Sequence, residues 1–136
     1  MRSSLLASAF LPTVLAKLTS FYVCDSSISM VNGLYELDDA MESNDAVVYS
    51  RVDGVGDSLD HDFRLFRHHG FWSFGDFEQW PPEVYFRCDP FYSQEVREVC
   101  LPHLDTPPMH GYTPRQDPTQ NGPVLQVQPC NEKDEL

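Results

Sequence analysis

Basic side chains are scarce: 9 lysines and arginines face 21 aspartates and glutamates, for a net charge of −12. Nucleic acid and anionic membrane surfaces are recognised through basic patches, so neither is an expected partner. A thioredoxin-type redox centre needs a Cys-x-x-Cys pair, and none occurs. The Gly-x-Ser-x-Gly elbow of serine hydrolases is missing too. Asn32, Asn44, Asn121 and Asn131 all lack a hydroxyl residue two positions on, so N-glycosylation is not expected. The mature chain also lacks a convincing amphipathic helix.

The two ends carry addresses instead. "LLASAFLPTVLA" (Leu5 to Ala16) follows Arg2 and closes on small residues at Val14 and Ala16. It is shorter than the ~20 residues of a bilayer span and reads as a helical signal peptide, residues 1–16, with a buried N-terminal helix as the alternative. The last four residues, Lys133, Asp134, Glu135 and Leu136, spell the retrieval address of the endoplasmic reticulum lumen. The expected location is therefore the lumen. The expected partner of residues 131–136 is a KDEL-type retrieval receptor, and no membrane span remains after leader removal.

Residues 17–130 read as one small all-β domain, an antiparallel sheet or barrel-like module of five or six strands. Asn32-Gly33 marks a turn. "GLYEL" alternates apolar and polar positions, "DDAMESND" reads as a polar loop, and "AVVYSRV" is rich in β-branched residues. "FRLFRHH" and "GFWSFGDF" form a hairpin, with Phe63 and Leu65 on one face and Phe66 opposite. "VYFRC" and "VLQVQPC" follow, separated by "DPFYSQEVREVC", which fits one helical turn or a loop excursion. Six prolines in the 23 residues from Leu101 to Pro123 preclude a helix and predict either an ordered peripheral wrap or a mobile loop. Tyr35, Val48, Leu65, Trp72, Tyr85 and Val127 are the expected core.

Seven aromatic residues lie between Phe71 and Phe86, too apolar a stretch for a disordered chain. Trp72, Trp80 and Tyr112 are candidates for ligand binding, against the alternative that large aromatics fill a small core. His61, His68, His69, His103 and His110 raise the question of a metal. His68 and His69 should point to opposite faces of a strand, and three or four converging ligands are not evident, so no metal site is expected. No cofactor motif and no catalytic residue is identified.

In order, "VNGLYEL", "VVYSRV", "LFRHHGFWSFGDF", "PPEVYFRC", "TPPMHGYTP" and "GPVLQV" resemble a small β module of algal, other protist and some animal proteins. The resemblance spans residues 28–127 and rests on Asn32, Gly33, Tyr35, Tyr49, Phe66, Trp72, Tyr85, Phe86, Pro107, Pro108, Gly111, Tyr112, Pro123 and Leu125. Tyr112 stands where the module has Trp. It implies a fold and no activity.

Cys24, Cys88, Cys100 and Cys130 permit three pairings. Strand order favours Cys88–Cys100, closing a local loop, and Cys24–Cys130, clamping the ends of the module. The primary functional expectation is a non-catalytic lumenal binding module for a protein client or a glycan. The alternatives are a small redox or folding accessory built on Cys100 and His103, and a stray copy of a usually fused domain without a function of its own. Deleting Lys133 to Leu136 should send the protein from cells into the medium. An immunoblot showing continued retention would sink the reading of the tail as an address.

Overall fold

Strands with one apolar face must bury it, and here they do so in a single curled sheet. The computed structural model describes residues 18–43, 46–53, 61–102 and 106–131. The expected leader, residues 1–16, the tail Lys133 to Leu136 and His103 lie outside the described residues.

The chain runs through β1 (Ser20–Cys24), β2 (Gly33–Ser43), β3 (Ala46–Arg51), β4 (Phe63–His68), β5 (Phe71–Asp76), β6 (Glu83–Arg87), α1 (Gln94–Cys100), β7 (Thr113–Pro114) and β8 (Val124–Gln126). The sheet order is β7-β6-β5-β4-β3-β2-β1-β8, every pair antiparallel. It is an antiparallel meander whose last strand returns beside the first, curled into a half-barrel. The all-β expectation therefore holds, with eight strands among the described residues rather than five or six. The extra two are β1, which runs straight into turn residues, and β7, two residues inside the proline-rich stretch. The expected loop "DDAMESND" is overturned in part, because β2 continues to Ser43 across a register shift between Asp38 and Glu42.

The core is aromatic. Phe21, Tyr35, Tyr49, Phe63, Trp72, Phe74 and Phe86 are all buried. Their rings meet edge-on, as Tyr35 with Phe74 at 5.7 Å and Phe21 with Tyr49 at 4.8 Å, the geometry that sets positive ring edges against negative faces. The hydroxyl of Tyr35 donates to the Val31 carbonyl at 2.7 Å and that of Tyr49 to the Leu18 carbonyl at 2.9 Å. Burial drives the Tyr35 pKa far upward, so the phenol stays protonated. Tyr35, Val48, Leu65 and Trp72 are buried as expected, and Tyr85 is half-buried against the core edge. Val127 is a correction: it is 64% exposed, because β8 ends at Gln126 and Leu125 takes the inward position.

The open mouth is covered by the proline-rich wrap. Pro107, Pro108, Tyr112 and Pro123 are buried, the Tyr112 hydroxyl donates to the Pro108 carbonyl at 2.8 Å, and its ring meets Phe74 at 4.9 Å. The Leu125 amide donates to the Met109 carbonyl at 2.8 Å, tying the wrap to β8. Gly111 (φ 104°) sits where a Cβ would come within 3.2 Å of Cys88 Sγ and 3.3 Å of Cys100 Sγ, so only glycine passes over that bond unstrained. "DPFYSQEVREVC" forms the seven-residue helix α1, capped by the Ser93 side chain accepting from the Val96 amide.

Cys24 is bonded to Cys130 and Cys88 to Cys100, each pair with Cα atoms 5.5 Å apart. These are the two bonds that strand order favoured. Closing chain segments of 106 and 12 positions constrains the unfolded state by about 4.7 and about 3 kcal/mol in the chain-entropy account. Replacing Cys24 and Cys130 by Ser should therefore lower stability to urea more than replacing Cys88 and Cys100. Denaturation curves with the opposite order would show that local strain, not loop length, sets the contribution.

Candidate functional site

Alternation along β4 sends Phe63 and Leu65 into the core and Arg64, Phe66 and His68 to the outer face. Across the β4–β5 ladder Phe66 opposes Ser73 and His68 opposes Phe71. Across β5–β6 and β6–β7, Ser73 opposes Arg87 and Arg87 opposes Thr113. The register thus gathers a second set of side chains on the convex side of the sheet.

Phe66 lies low on that face. A Cβ on Gly75 would come within 3.1 Å of its ring and 2.9 Å of the Glu83 carbonyl, so the bare glycine makes the seat for the phenyl. Phe77 meets Phe66 edge-on at 4.8 Å, Trp80 follows at 6.2 Å, and His68 flanks Phe66 at 5.7 Å. Trp80 stands 81% exposed at the end of this ladder, joined to Pro81 by a cis peptide bond. Arg64 lies 5.1 Å above Phe77, and it is already engaged by Asp38 and Asp62 at 3.0 and 2.9 Å.

A second strip runs beside the first. Arg87 sits 5.4 Å over Phe71, Phe71 meets Phe91 at 6.2 Å, and Arg97 of α1 sits 5.8 Å over Phe91. Stacking of this kind holds a guanidinium plane while leaving its donor edge free. Phe91 and Tyr92 are both exposed. His68 and His69 stack at 4.0 Å, against the expectation that they diverge. The cause is the turn: the strand ends at His68, and His69 (φ 54°) with Gly70 (φ 87°) makes a two-residue hairpin of the left-handed type. Burial lowers the His68 pKa, and His69, Arg87 and Arg115 push it the same way.

Elsewhere, His61 Nδ1 lies 2.6 Å from Asp76 Oδ2. A buried carboxylate aligning an imidazole is half of a hydrolytic triad. Asp76 also accepts from the amides of Asp62 and Glu78, each at 2.9 Å, so it ties the chain before β4 to the turn after β5. That anchoring accounts for its contacts. A recess of about 160 Å³ lies at the core-facing side of β6, lined by Ile28, Glu83, Tyr85, Gln116, Asp117 and Gln120. The Glu83 carboxylate there accepts from Gln79, Tyr85 and Gln116. Among the described residues no three His, Cys, Asp or Glu side chains are grouped to hold a metal ion.

The candidate binding aromatics separate. Trp72 is 1% exposed and Tyr112 is 4% exposed, so both are corrected to core residues; only Trp80 faces solvent. Trp72 and Phe74, two apart on one strand, carried the signal of a shared inward face. Phe91, Tyr92 and the arginine stacks were missed, since Phe71 and Arg87 meet only through sheet register. Cys100 is bonded to Cys88 and 3% exposed, so the redox alternative requires reduction of a buried bond. No family model, curated protein or solved structure matches the chain.

Burial alone would raise the Asp76 pKa, but hydrogen bonds from the Asp62 amide, His61 and the Glu78 amide outweigh it and hold the carboxyl below its ordinary value. A depressed carboxylate stabilises the fold above its unfolded pKa, and that contribution is lost as pH falls through the folded one. Urea denaturation from neutral pH to about pH 3 should show a steeper loss for the native protein than for Asp76→Asn. Parallel curves would mean that Asp76 does not carry this linkage.

Proposed function

We propose that this chain is a non-catalytic binding module of the endoplasmic reticulum lumen, holding a protein client or a glycan through its outer sheet face. The observation that carries this reading is Trp80, 81% exposed at the end of an aromatic ladder whose inner members are packed. Large exposed aromatics on a fixed scaffold are the residues that dominate binding energies at interfaces. Two disulfides suit an oxidising compartment, in keeping with the leader and the tail address.

The resemblance to the protist and animal β module belongs to the same proposal. Of the residues that carry it, Tyr35, Tyr49, Trp72, Phe86, Tyr112 and Leu125 are buried. The shared pattern thus describes a packing scheme, and it lends no chemistry.

The test is affinity capture from lumenal extract with the mature protein and with Trp80→Ala. The native chain should retain a defined partner that the variant loses at least about tenfold, the scale of an interface anchor. An identical set captured by both would overturn the reading. Because the indole is exposed, the variant keeps its core intact.

A further inference from the structure

Among the described residues, the outer face of β4–β7 gathers several cations of an acidic molecule, Arg64, Arg87 and Arg115. Register brings Arg87 and Arg115 together, since Arg87 opposes Thr113 and Arg115 follows two positions later; Arg115 also lowers the Arg87 pKa, after burial, and both lower that of His68. Arg87 points outward opposite Ser73 and Thr113. Arg115 is exposed two positions beyond Thr113, and its amide donates to the Tyr85 carbonyl at 3.0 Å.

Arg87 is underused where it stands. Its side chain is 14% exposed, its Nε lacks a hydrogen-bond partner among the described residues, and its ion pair with Asp89 spans 3.9 Å. Stacked on Phe71, its fork is held in place with donors to spare. Arg64 is different, being already paired with Asp38 and Asp62. Glu83 and Asp117 line the recess on the core-facing side of β6, and of the acids on the outer face Asp38 and Asp62 are taken up by Arg64 while Asp89 reaches Arg87 only at 3.9 Å.

We propose that this face binds an extended acidic polypeptide segment, its carboxylates on Arg87 and Arg115 and an aromatic or apolar side chain against Trp80. The inference rests on the binding-module reading and names the class of client. Trp80 precedes β6 and Arg87 ends it, so the five residues of that strand, roughly 15 Å at the rise of a strand, lie between the two anchors. An extended peptide of about five residues spans that length, whereas a monosaccharide does not. The rings of Phe71, Phe77 and Phe91 carry guanidinium groups, which leaves the exposed Trp80 as the stacking surface of this strip.

Fluorescence anisotropy with a labelled peptide alternating glutamate and tyrosine tests the assignment, using the disulfide-bonded mature protein. The peptide should bind, weaken as added salt shortens the screening length toward ~3 Å at about 1 M, and lose about tenfold or more in affinity to Arg115→Glu. Arg87→Gln should weaken it as well, and a lysine–tyrosine peptide should not bind. Arg115 is exposed, so its reversal leaves the core untouched; peptide mapping of the disulfides verifies folding of both variants. No binding of the acidic peptide, unchanged affinity in both variants, preference for a sulfated oligosaccharide, or a salt-sensitive doubling of mass would each overturn the proposal. If the acidic peptide fails while Trp80-dependent capture persists, only this inference falls; if both fail, the binding-module reading falls with it.

Discussion

The return of the chain end onto its beginning governs the rest of this structure. A curled sheet that stops short of closure leaves an open mouth over its core, and an aromatic core cannot face water without losing its driving force. Here β8 docks against β1, with Tyr22 opposite Gln126 and Cys24 opposite Val124. The Cys24–Cys130 bond fastens the same junction. The proline-rich wrap that delivers β8 thereby lies across the mouth, and Tyr112 becomes the plug. Proline suits such a covering segment, which has few ladder hydrogen bonds to donate, and its fixed φ lowers the entropy lost on ordering.

Two faces of one sheet then diverge in character. Inward positions hold rings against rings, with phenol hydroxyls donating to backbone carbonyls. Outward positions on β4, β5 and β6 hold a thinner layer, in which Phe66 is covered but Phe77, Phe71 and Arg87 are only partly so. The small residues Ser73 and Gly75 let that layer sit close to the backbone. The order of this layer comes from the sheet beneath it. Side chains held this way lose little further freedom when a ligand arrives, which favours recognition over chemistry.

Much of the fold was legible because β-branched and aromatic runs such as "AVVYSRV" and "GFWSFGDF" fit a strand and little else. The disulfide pairing was legible for a related reason: once the first and last strands are neighbours, Cys24 and Cys130 have nowhere else to go. β7 escaped because two residues set no period. The extension of β2 escaped because its aspartates look like a loop, although a register shift carries them onward as a strand. Val127 shares the phase of Leu125, and only the end of β8 at Gln126 takes it out of the core. The site was less legible than the fold, since Trp72 and Trp80 are the same residue type eight positions apart, and one is buried because it lies on an inward position of β5 while the other is exposed in the turn before β6. Nor does spacing reveal that Arg87 meets Phe71, because the contact belongs to two strands and a bulge between them.

The cystine joining Cys24 to Cys130 also has a mechanical consequence. Three residues of β8 would peel from β1 under a modest tug, one hydrogen-bonded rung at a time. Any force applied beyond Cys130 instead enters the covalent bond and passes directly to Cys24, at the end of β1. β8 is short-circuited as a tensile element and carries none of the pull. A pull of that kind therefore loads β1, which is paired along its length with β2, and leaves the short β8 and the wrap it carries unloaded.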